Sequence, residues 1–493
     1  MSFKNTIVPN DSSVYVIKKY LEPDYYEIAP QPKLYHNRWL PRMSKQLKPA
    51  YEDDFDWVQG KQWDDCYAPF TKKNCKNDIQ DIDFDVMSAI IPLCCGDWLK
   101  KIKPNQYVNM LPTTKILYQK YQLGRAISDY SQKRPDVQPA QPKSYEANSK
   151  ELIDLFKNGG HVICKQSGGY GSHGTIITNE MKKVRSKGYV IQKFEEDILM
   201  YKGHRFENRQ FFIVTNLDPL IAYTHPSGFS RFQKHKYEGI KSKLMDNIQA
   251  PMNDAYGLDQ NKWITDGGFK ANISSRHLMK LIDEDEQNFN AINRINSSYI
   301  AQQQDYLVSR ILTQTIDKML VNYDEQYKTY PKRFFQLFGI DQFFLRNGSS
   351  QAYEVNGKSS LIEANVNLDQ SLNYVDIYPQ MLNLIGIRRI DEPIEQIPIK
   401  YSMDIEELRK IMNQNKRINL TTLTQYEQRC YWQILDEETR LGEFRRIKFE
   451  NTMDEFIEPS YLTQLVYYLK KLGVTSKNKR LTYAQKKKSN DII

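Results

Sequence analysis

The sequence predicts an α+β fold, because helix-like and strand-like segments mix along its 493 residues without a regular βαβ repeat. Three observations support this class. Short runs rich in β-branched and aromatic residues predict strands between 161 and 224, namely HVICK, GYVIQKF, NRQFFIV and PLIAYT. A long segment at 285–322 has helical spacing. The runs FFQLFGIDQFFL and QAYEV, on either side of the turn RNGSS, predict further strands.

The part of the chain before residue 160 has a less regular pattern. Residues 1–80 are rich in Pro, Tyr and charge, which predicts an extended N-terminal arm. The segments FDVMSAIIPLCCGDWLKKI and KILYQKYQLGRAISDYSQK have helical spacing and predict two helices. A stretch with three prolines at 135–150 predicts a linker. It leads into a predicted helix that is capped near Asn148 or Ser149.

Composition limits the classes of function. Lys and Arg outnumber Asp and Glu by 69 to 60, and the net charge of +9 favours acidic partners. No apolar run reaches the roughly 18 residues of a membrane span, and the first residues lack the apolar core of a signal peptide. Six cysteines without zinc-type spacing predict reduced thiols. No nucleic-acid-binding module is recognisable.

A lysine followed by a glycine-rich loop is the first candidate site. Lys165 ends a predicted strand and opens KQSGGYGSHGTI, in which Gly174 is the last glycine. An ammonium group and backbone N–H groups in this order suit phosphate oxygens, although a plain surface loop has the same composition. The next strand ends in Gln192, Lys193 and Phe194, which could contact a purine edge or could simply end a core strand.

Charged residues mark two further strands. Arg205, Glu207 and Arg209 alternate, so a strand directs all three to one face. Two guanidiniums around one carboxylate suit phosphates or an anionic substrate, and a solvated salt-bridge ladder is the alternative. Arg231 is a further cation of this kind. The acidic residue Asp341 lies within an apolar run, which predicts either a metal ligand or a buried ion pair.

Taken together in their order along the chain, the motifs described above and those given below resemble the tubulin tyrosine ligase-like family over roughly 105–450. Arg205 and Glu207 are conservative exchanges in the family's Lys-Phe-Asp-x-Arg pattern, and Asn247 lies in a loose match to His-Leu-Thr-Asn. The resemblance rests on VNMLPTTKILYQKYQL, ICKQSGGYGSHGTI, VIQKF, RFENRQFFIVT, GFSRF, KLMDNIQ, FQLFGID, LIEANVN and ILDEETRLGEFRRI.

The resemblance implies an ATP-grasp fold with ATP and Mg²⁺ as cofactors. It divides the chain into an arm at 1–80, an N-terminal lobe at 81–155, a central lobe at 156–250, a C-terminal lobe at 251–395 and a basic helical extension at 396–493. It implies Asp341, Glu363 and Asn365 as metal ligands, and Arg209, Arg231 and Glu363 as catalytic residues. The implied nucleotide-binding residues are Lys165, Gly174, Gln192, Lys193, Phe194, Arg205, Glu207 and Asn247.

The implied activity is ATP-dependent amide formation on glutamate carboxylates of tubulin tails, through an acyl phosphate. LIEANVN and ICK favour glycine as the free amino acid that is added, and polyglutamylation on the same scaffold is the alternative. Microtubules are the expected partner, with no role for nucleic acid or membrane. The expected location is the cytoplasm and cytoskeleton, more specifically the cilium or axoneme.

The sequence departs from the family pattern in the phosphate loop and around the metal strands. Gly171-Ser172-His173-Gly174 replaces Arg-Gly-Arg-Gly, so two cations are lost from the phosphate loop. This loss favours a second hypothesis, in which an impaired family member serves as a structural protein of microtubules or axonemes. In addition, Glu354 and Asn356 lie at about the family's spacing from Asp341 and form an alternative to Glu363 and Asn365. The better motif match favours the latter pair.

Overall fold

The computed structural model describes residues 107–167, 175–233, 273–289, 295–321, 334–357, 380–386 and 398–474, with a few short strands and single residues elsewhere. Its helices are α1 Lys115–Tyr118, α2 Lys120–Lys133, α3 Lys150–Lys157, α4 Ser275–Glu284, α5 Ser297–Thr313, α6 Ile316–Leu320, α7 Ile405–Asn413, α8 Gln425–Glu438 and α9 Tyr461–Lys471. None of these helices has the length and apolar character needed to cross a bilayer.

The strands in the N-terminal half are β1 Lys33–His36, β2 Asp56–Gln59, β3 Val86–Ser88, β4 Tyr107–Asn109, β5 Ser144–Tyr145, β6 Val162–Gln166, β7 Ile176–Thr178 and β8 Tyr189–Lys193. The later strands are β9 Met200–Tyr201, β10 His204–Leu217, β11 Leu220–Phe232, β12 Trp263–Ile264, β13 Phe269–Lys270, β14 Asn272–Ser274, β15 Phe334–Phe344, β16 Ser350–Asn356 and β17 Arg445–Arg446. Helices and a mixed sheet together confirm the α+β class.

The main sheet has the strand order β14-β11-β10-β15-β4-β3-β1-β2, and β16 pairs with β15. Its long strands β10, β11 and β15 are antiparallel to one another, whereas β15 pairs in parallel with β4. Every residue of β10 and β15 is buried. Most positions of β15 are aromatic or apolar, whereas β10 also carries buried charged and polar side chains. This part of the sheet carries the candidate site.

A strand in the N-terminal half replaces part of a predicted helix. Val86–Ser88 is a strand, although the surrounding apolar run was predicted to be helical. It pairs in parallel with β1 and β4, and β1 pairs with β2. Short apolar runs fit a helix and a strand equally well, and pairing with distant segments decides between them. The predicted helix cap is confirmed at Ser149, whose hydroxyl accepts from the Leu152 amide.

A second, four-stranded sheet has the order β5-β8-β6-β7. Helix α3 packs on one face through a small core that includes Leu152, Val162, Cys164 and Ile191. The alternate side chains of β6 and β8, among them Lys165 and Gln192, project from the other face. The backbone amide of Ala352 donates to the carbonyl of Ala140 at 2.8 Å and joins the segment before β5 to the main sheet.

The C-terminal helices α8 and α9 pack against the main sheet and share its hydrophobic core. Strand β17 pairs with β11, and the Tyr467 hydroxyl donates to the Leu220 carbonyl at 2.6 Å. The buried carboxylate of Glu437 accepts hydrogen bonds from Thr215 at 2.8 Å, from Tyr223 at 2.7 Å and from Gln433 at 2.9 Å. Residues 398–474 therefore complete the core on which β10 and β11 rest.

Replacing Glu437 by Ala is expected to lower the free energy of unfolding by about 3 kcal/mol, because two buried hydroxyls lose their acceptor and a cavity forms. Urea denaturation measures this. The matched control is Glu406→Ala, since the Glu406 side chain is 77% exposed. Equal stability of both variants would show that the contact between the C-terminal helices and the sheet contributes little.

Candidate active site

Four adjacent strands bring charged residues to one face of the main sheet. Glu207 on β10 lies opposite Arg231 on β11, and Arg209 lies opposite Asp341 on β15. Asp341 in turn lies opposite Glu354 on β16. As the alternation of Arg205, Glu207 and Arg209 predicts, β10 directs these three side chains to the same face of the sheet.

A buried ion pair lies at the centre of this face. Nε and Nη2 of Arg209 donate to the two carboxylate oxygens of Asp341 at 2.6 and 2.7 Å. The side chains are 5% and 2% exposed. Arg231 pairs with Glu207, and its Nη2 also lies 3.6 Å from Asp341. The charges are therefore removed from water, which excludes a solvated salt-bridge ladder.

The two carboxylates respond differently to this environment. Burial opposes ionisation of Asp341, but the adjacent guanidiniums of Arg209 and Arg231 outweigh it and lower the pKa of this carboxyl below its usual value. Burial raises the pKa of Glu207 to about 7, and the negative charge of Asp341 adds to the rise while Arg231 opposes it. Asp341 is therefore the carboxylate that stays ionised at neutral pH.

Two further oxygen-bearing side chains lie beside Asp341. The amide Nδ2 of Asn356 lies 3.3 Å from Oδ2 of Asp341 and 3.4 Å from Oε1 of Glu354. Lys120, the first residue of α2, contacts Glu354 at 2.9 Å. Two carboxylates and one amide suit Mg²⁺, which usually keeps water and phosphate oxygens as its other ligands.

The described residues contain no cluster of three His, Cys, Asp or Glu side chains that could hold a metal by themselves. A cation bound by Asp341, Glu354 and Asn356 would therefore need oxygen ligands from a phosphate or from water. Glu363 and Asn365, the pair favoured by the motif match, lie outside the described residues and stay a prediction.

Lys165 reaches the same face from the smaller sheet. Its ammonium donates to Oε1 of Gln192 at 2.9 Å and to the carbonyl of Tyr353 at 3.4 Å, and lies 5.2 Å from the Tyr353 ring centroid. No carboxylate of the described residues forms an ion pair with it. Burial lowers the pKa of Lys165 to about 8, although the negative charge of Glu354 partly compensates.

Arg205 is a second cation without a carboxylate partner among the described residues. Its guanidinium lies between two aromatic rings, 4.7 Å from the centroid of Phe194 and 4.8 Å from that of Tyr237. Nη2 donates to the carbonyl of Glu195 at 3.0 Å, whereas the buried Nη1 has no hydrogen-bond acceptor in the described part of the chain. A buried donor of this kind is expected to have a partner when the site is in use.

The remaining predicted nucleotide-binding residues occupy different positions. Gln192 is buried beside Lys165, and Phe194 stacks on Arg205. Lys193 projects from the opposite face of β8, where its ammonium pairs with Glu195 at 2.8 Å. Only the backbone of Lys193 is therefore available on the site face. Gly174 and Asn247 lie outside the described residues.

A polar network on the reverse face of the sheet ties the site strands together. Asn208 on β10 donates to Ser230 on β11 at 2.9 Å and to Ser275 on α4 at 2.7 Å. It accepts from Gln304 on α5 at 2.9 Å and from Gln342 on β15 at 3.2 Å. Because buried amides are costly without partners, this network favours one register of β10, β11 and β15, three of the four strands that carry the charged face.

Two contacts of the site were not predicted from the sequence. Lys120 occupies the first turn of a helix, where an isolated lysine gives no signal of its partner Glu354. Tyr353 lies at a β-bulge, next to the shift in register between Asp341 and Gln342. The sequence signal that points to this part of β16 is the spacing of Glu354 and Asn356 from Asp341. The motif match favours Glu363 and Asn365 over this pair.

Comparison with known proteins identifies the family of this chain. The model of the tubulin-tyrosine ligase family matches residues 99–383, which is more than half of the sequence. The chain belongs to the tubulin-tyrosine ligase family. The predicted family resemblance is confirmed, and the α+β architecture is that of an ATP-grasp fold.

Individual members of the family are distant relatives. A probable beta-tubulin polyglutamylase of Tetrahymena thermophila is 21% identical over 233 residues, which cover 44% of this chain and 19% of that protein. Tubulin polyglutamylase ttll-11 of Caenorhabditis elegans is 23% identical over 284 residues, which cover 52% of this chain and 38% of that protein. The chain thus spans less than two fifths of the length of either relative.

Gly228 on β11 tests how closely the site strands pack. A Cβ atom there would overlap the carbonyl oxygen of Arg209 and lie 2.7 Å from the Ser275 hydroxyl oxygen. We expect Gly228→Ala to lower the free energy of unfolding by about 3 kcal/mol, because backbone atoms must move. Differential scanning calorimetry of the variant measures this.

The control for this prediction is Gly339→Ala. A Cβ at Gly339 would meet its nearest neighbour, Cδ of Arg209, at 3.5 Å, which is ordinary van der Waals contact. This variant is expected to be as stable as the wild type or slightly more stable. A stable Gly228→Ala protein would show that β10 and β11 are less tightly packed at the site than the structure indicates.

Proposed function

We propose that this chain is an ATP-dependent carboxylate–amine ligase that adds an amino acid to glutamate side chains of tubulin tails. One observation supports this more than any other. The charged face combines oxygen ligands suited to Mg²⁺ with Lys165 and Arg205, two cations that have no carboxylate partner among the described residues. Such a local surplus of positive charge suits the phosphates of a nucleotide.

The residues divide into three roles. Lys165 and Arg205 would bind phosphate oxygens, and Gly174 stays a predicted nucleotide-binding residue. Asp341, Glu354 and Asn356 would hold Mg²⁺, which supplies charge neutralisation and orientation for phosphoryl transfer.

The two remaining arginines complete the assignment. Arg209 uses two N–H groups on Asp341 and therefore keeps this ligand ionised and in position. Arg231, between Glu207 and Asp341, would stabilise the acceptor carboxylate and the charge that develops on it.

The proposed reaction has two steps. A glutamate carboxylate oxygen of the acceptor attacks the γ-phosphorus of ATP, and the bond to the bridging oxygen breaks, so that an acyl phosphate and ADP form. The amine of the free amino acid then attacks the acyl carbon, releases inorganic phosphate and loses a proton to give the amide. Holding both reactants on a buried face excludes water, which would otherwise hydrolyse the acyl phosphate.

The amino acid that is added has two candidates. The motif LIEANVN favours glycine, whereas both relatives described above are named as polyglutamylases, which favours glutamate. Tubulin is the proposed acceptor because both relatives are tubulin-modifying proteins and because the chain carries a net charge of +9. The cytoskeleton, and more specifically the cilium or axoneme, is the corresponding proposed location.

Incorporation of labelled amino acids into microtubules tests the proposal. Radiolabelled glycine and glutamate are supplied in parallel with ATP and Mg²⁺, and Asp341→Asn serves as the inactive control. Incorporation that the control abolishes supports the ligase and identifies the amino acid. If neither label enters although the protein sediments with microtubules, the chain is a structural microtubule-binding protein instead.

Substitution of the two competing glutamates decides the metal ligands. We expect Glu354→Gln to raise the Mg²⁺ concentration for half-maximal incorporation by at least about tenfold, since one charged ligand is lost. Glu363→Gln is the matched variant and is expected to retain the wild-type Mg²⁺ dependence. The reverse pattern would assign the site to Glu363 and Asn365, as the motif match predicts.

The lowered pKa of Lys165 predicts a pH dependence of nucleotide binding. Its ammonium is protonated below pH 8 and loses its charge above, so ATP affinity is expected to fall by about tenfold for each pH unit between 8 and 9.5. Isothermal calorimetry between pH 7 and 9.5 measures this. Lys165→Arg stays protonated over the whole range and should remove the dependence. An unchanged profile in this variant would exclude Lys165 as the phosphate ligand.

A further inference from the structure

Positive charge is concentrated in two parts of the chain. Residues 470–490 contain eight Lys and Arg residues and no acidic residue, and most of them lie outside the described residues. The other part lies within the described sheet. Residues 155–194 contain seven Lys and Arg residues and one acidic residue, Glu180, a net charge of +6 compared with +9 for all 493 residues. This segment includes β6, β7 and β8, which also carry Lys165. The sheet that forms one side of the candidate site therefore carries one of the two basic parts of the chain.

Most of these charges lie on the connection between β7 and β8, which we call the basic loop, residues 181–188. Lys182 and Lys183 are 79% and 55% exposed, and Arg185 and Lys187 are also exposed. Glu180 contacts Lys182 at 3.2 Å and also pairs with Lys183. One carboxylate therefore pairs with two of the four cations, and the loop retains a surplus of positive charge.

The basic loop is held in a defined conformation. Its first turn is a 3₁₀ helix, Met181–Lys183, and Met181, Val184 and Tyr189 pack against the small core beneath α3. The guanidinium of Arg185 lies 5.6 Å from the Tyr189 ring centroid and donates to its hydroxyl at 3.0 Å. The apolar residues pack inward and the lysines are exposed, so the exposed lysines project from a packed backbone.

The loop adjoins the phosphate side of the candidate site. The carbonyl of Gly188 accepts from the amide of Ser167 at 2.8 Å, at the start of the glycine-rich segment. In the same ladder, Tyr189 lies opposite Gln166 and Val190 lies opposite Lys165. The basic loop and the glycine-rich segment thus leave the same end of the β6–β8 pair.

We propose that the basic loop docks a glutamate-rich peptide, the acidic tail of the protein that the site modifies. The proposal rests on the proposed ligase function, since the docked tail would bring its carboxylates to the charged face. Lysine ammonium groups on flexible stems suit the separate carboxylates of an acidic peptide. Such contacts are individually weak and together increase the encounter rate and the local concentration of the tail.

Two other partners fit the loop less well. Single-stranded nucleic acid would require exposed aromatic rings between the cations, whereas Tyr189 is partly buried beneath Arg185. Binding to a membrane surface is strengthened by apolar side chains that insert between lipids, whereas Met181 and Val184 pack inward. An acidic peptide needs neither feature.

A charge-reversed variant of the full chain tests whether the basic loop binds an acidic peptide. Lys182→Glu, Lys183→Glu and Lys187→Glu are combined, and binding of a synthetic glutamate-rich tail peptide is measured by fluorescence anisotropy at several salt concentrations. We expect the dissociation constant to rise at least about tenfold and its salt dependence to become weaker. The affinity for ATP with Mg²⁺, measured in the same samples, should not change, because none of these lysines belongs to the nucleotide site.

The matched control reverses three exposed cations on another surface, Lys410→Glu, Lys416→Glu and Arg417→Glu. It has the same change in net charge and should bind the peptide nearly as tightly as the wild type. Equal loss in both variants would show that only total charge matters and would overturn the dock. Wild-type affinity in the loop variant would also overturn it, and would leave the ligase proposal intact if ATP still binds.

Failure of the ligase proposal has a different signature. In that case the wild-type chain would bind no ATP, whereas the peptide measurements would still decide whether the basic loop is a docking surface. Loss of peptide binding in the loop variant alone supports the dock in either case.

Discussion

The buried ion pair between Arg209 and Asp341 is the interaction on which the rest of the site depends. Burial of a lone carboxylate between apolar strands would cost several kcal/mol, so Asp341 needs the two hydrogen bonds that Arg209 donates. The antiparallel register of β10 and β15 sets these residues opposite each other. Any shift of one residue would move one charge to the other face, and the reverse-face network centred on Asn208 opposes such a shift.

Around this ion pair, some of the cations have a carboxylate partner and others do not. Arg231 accompanies Glu207 and Lys120 accompanies Glu354, whereas Lys165 and Arg205 have no carboxylate of their own among the described residues. A purely structural network would be expected to balance its buried charges. The excess is positive, it arises from two different sheets, and it lies beside oxygen ligands. These features together favour a nucleotide site within a family whose fold is ATP-grasp.

Local patterns predicted much of this arrangement from the sequence, and long-range pairing determined the rest. The alternation in RFENR places its charges on one face of β10 wherever the strand pairs, and the strand–glycine pattern at Lys165 depends only on neighbouring residues. The strand at Val86–Ser88 was wrongly predicted as helical, because its pairing with β1 and β4 involves residues distant in sequence. The contact of Lys120 with Glu354 joins positions more than 200 residues apart, so no local signal exists for it.

The most direct test of this account is calorimetric titration of the folded chain with ATP, in the presence and in the absence of Mg²⁺. The account predicts binding with one nucleotide per chain, and an affinity that falls when Mg²⁺ is removed, because the carboxylates of the site would then face the phosphates without a cation between them. No heat of binding from a protein that unfolds cooperatively would contradict it. The charged face would then be a buried ion-pair network that stabilises the fold.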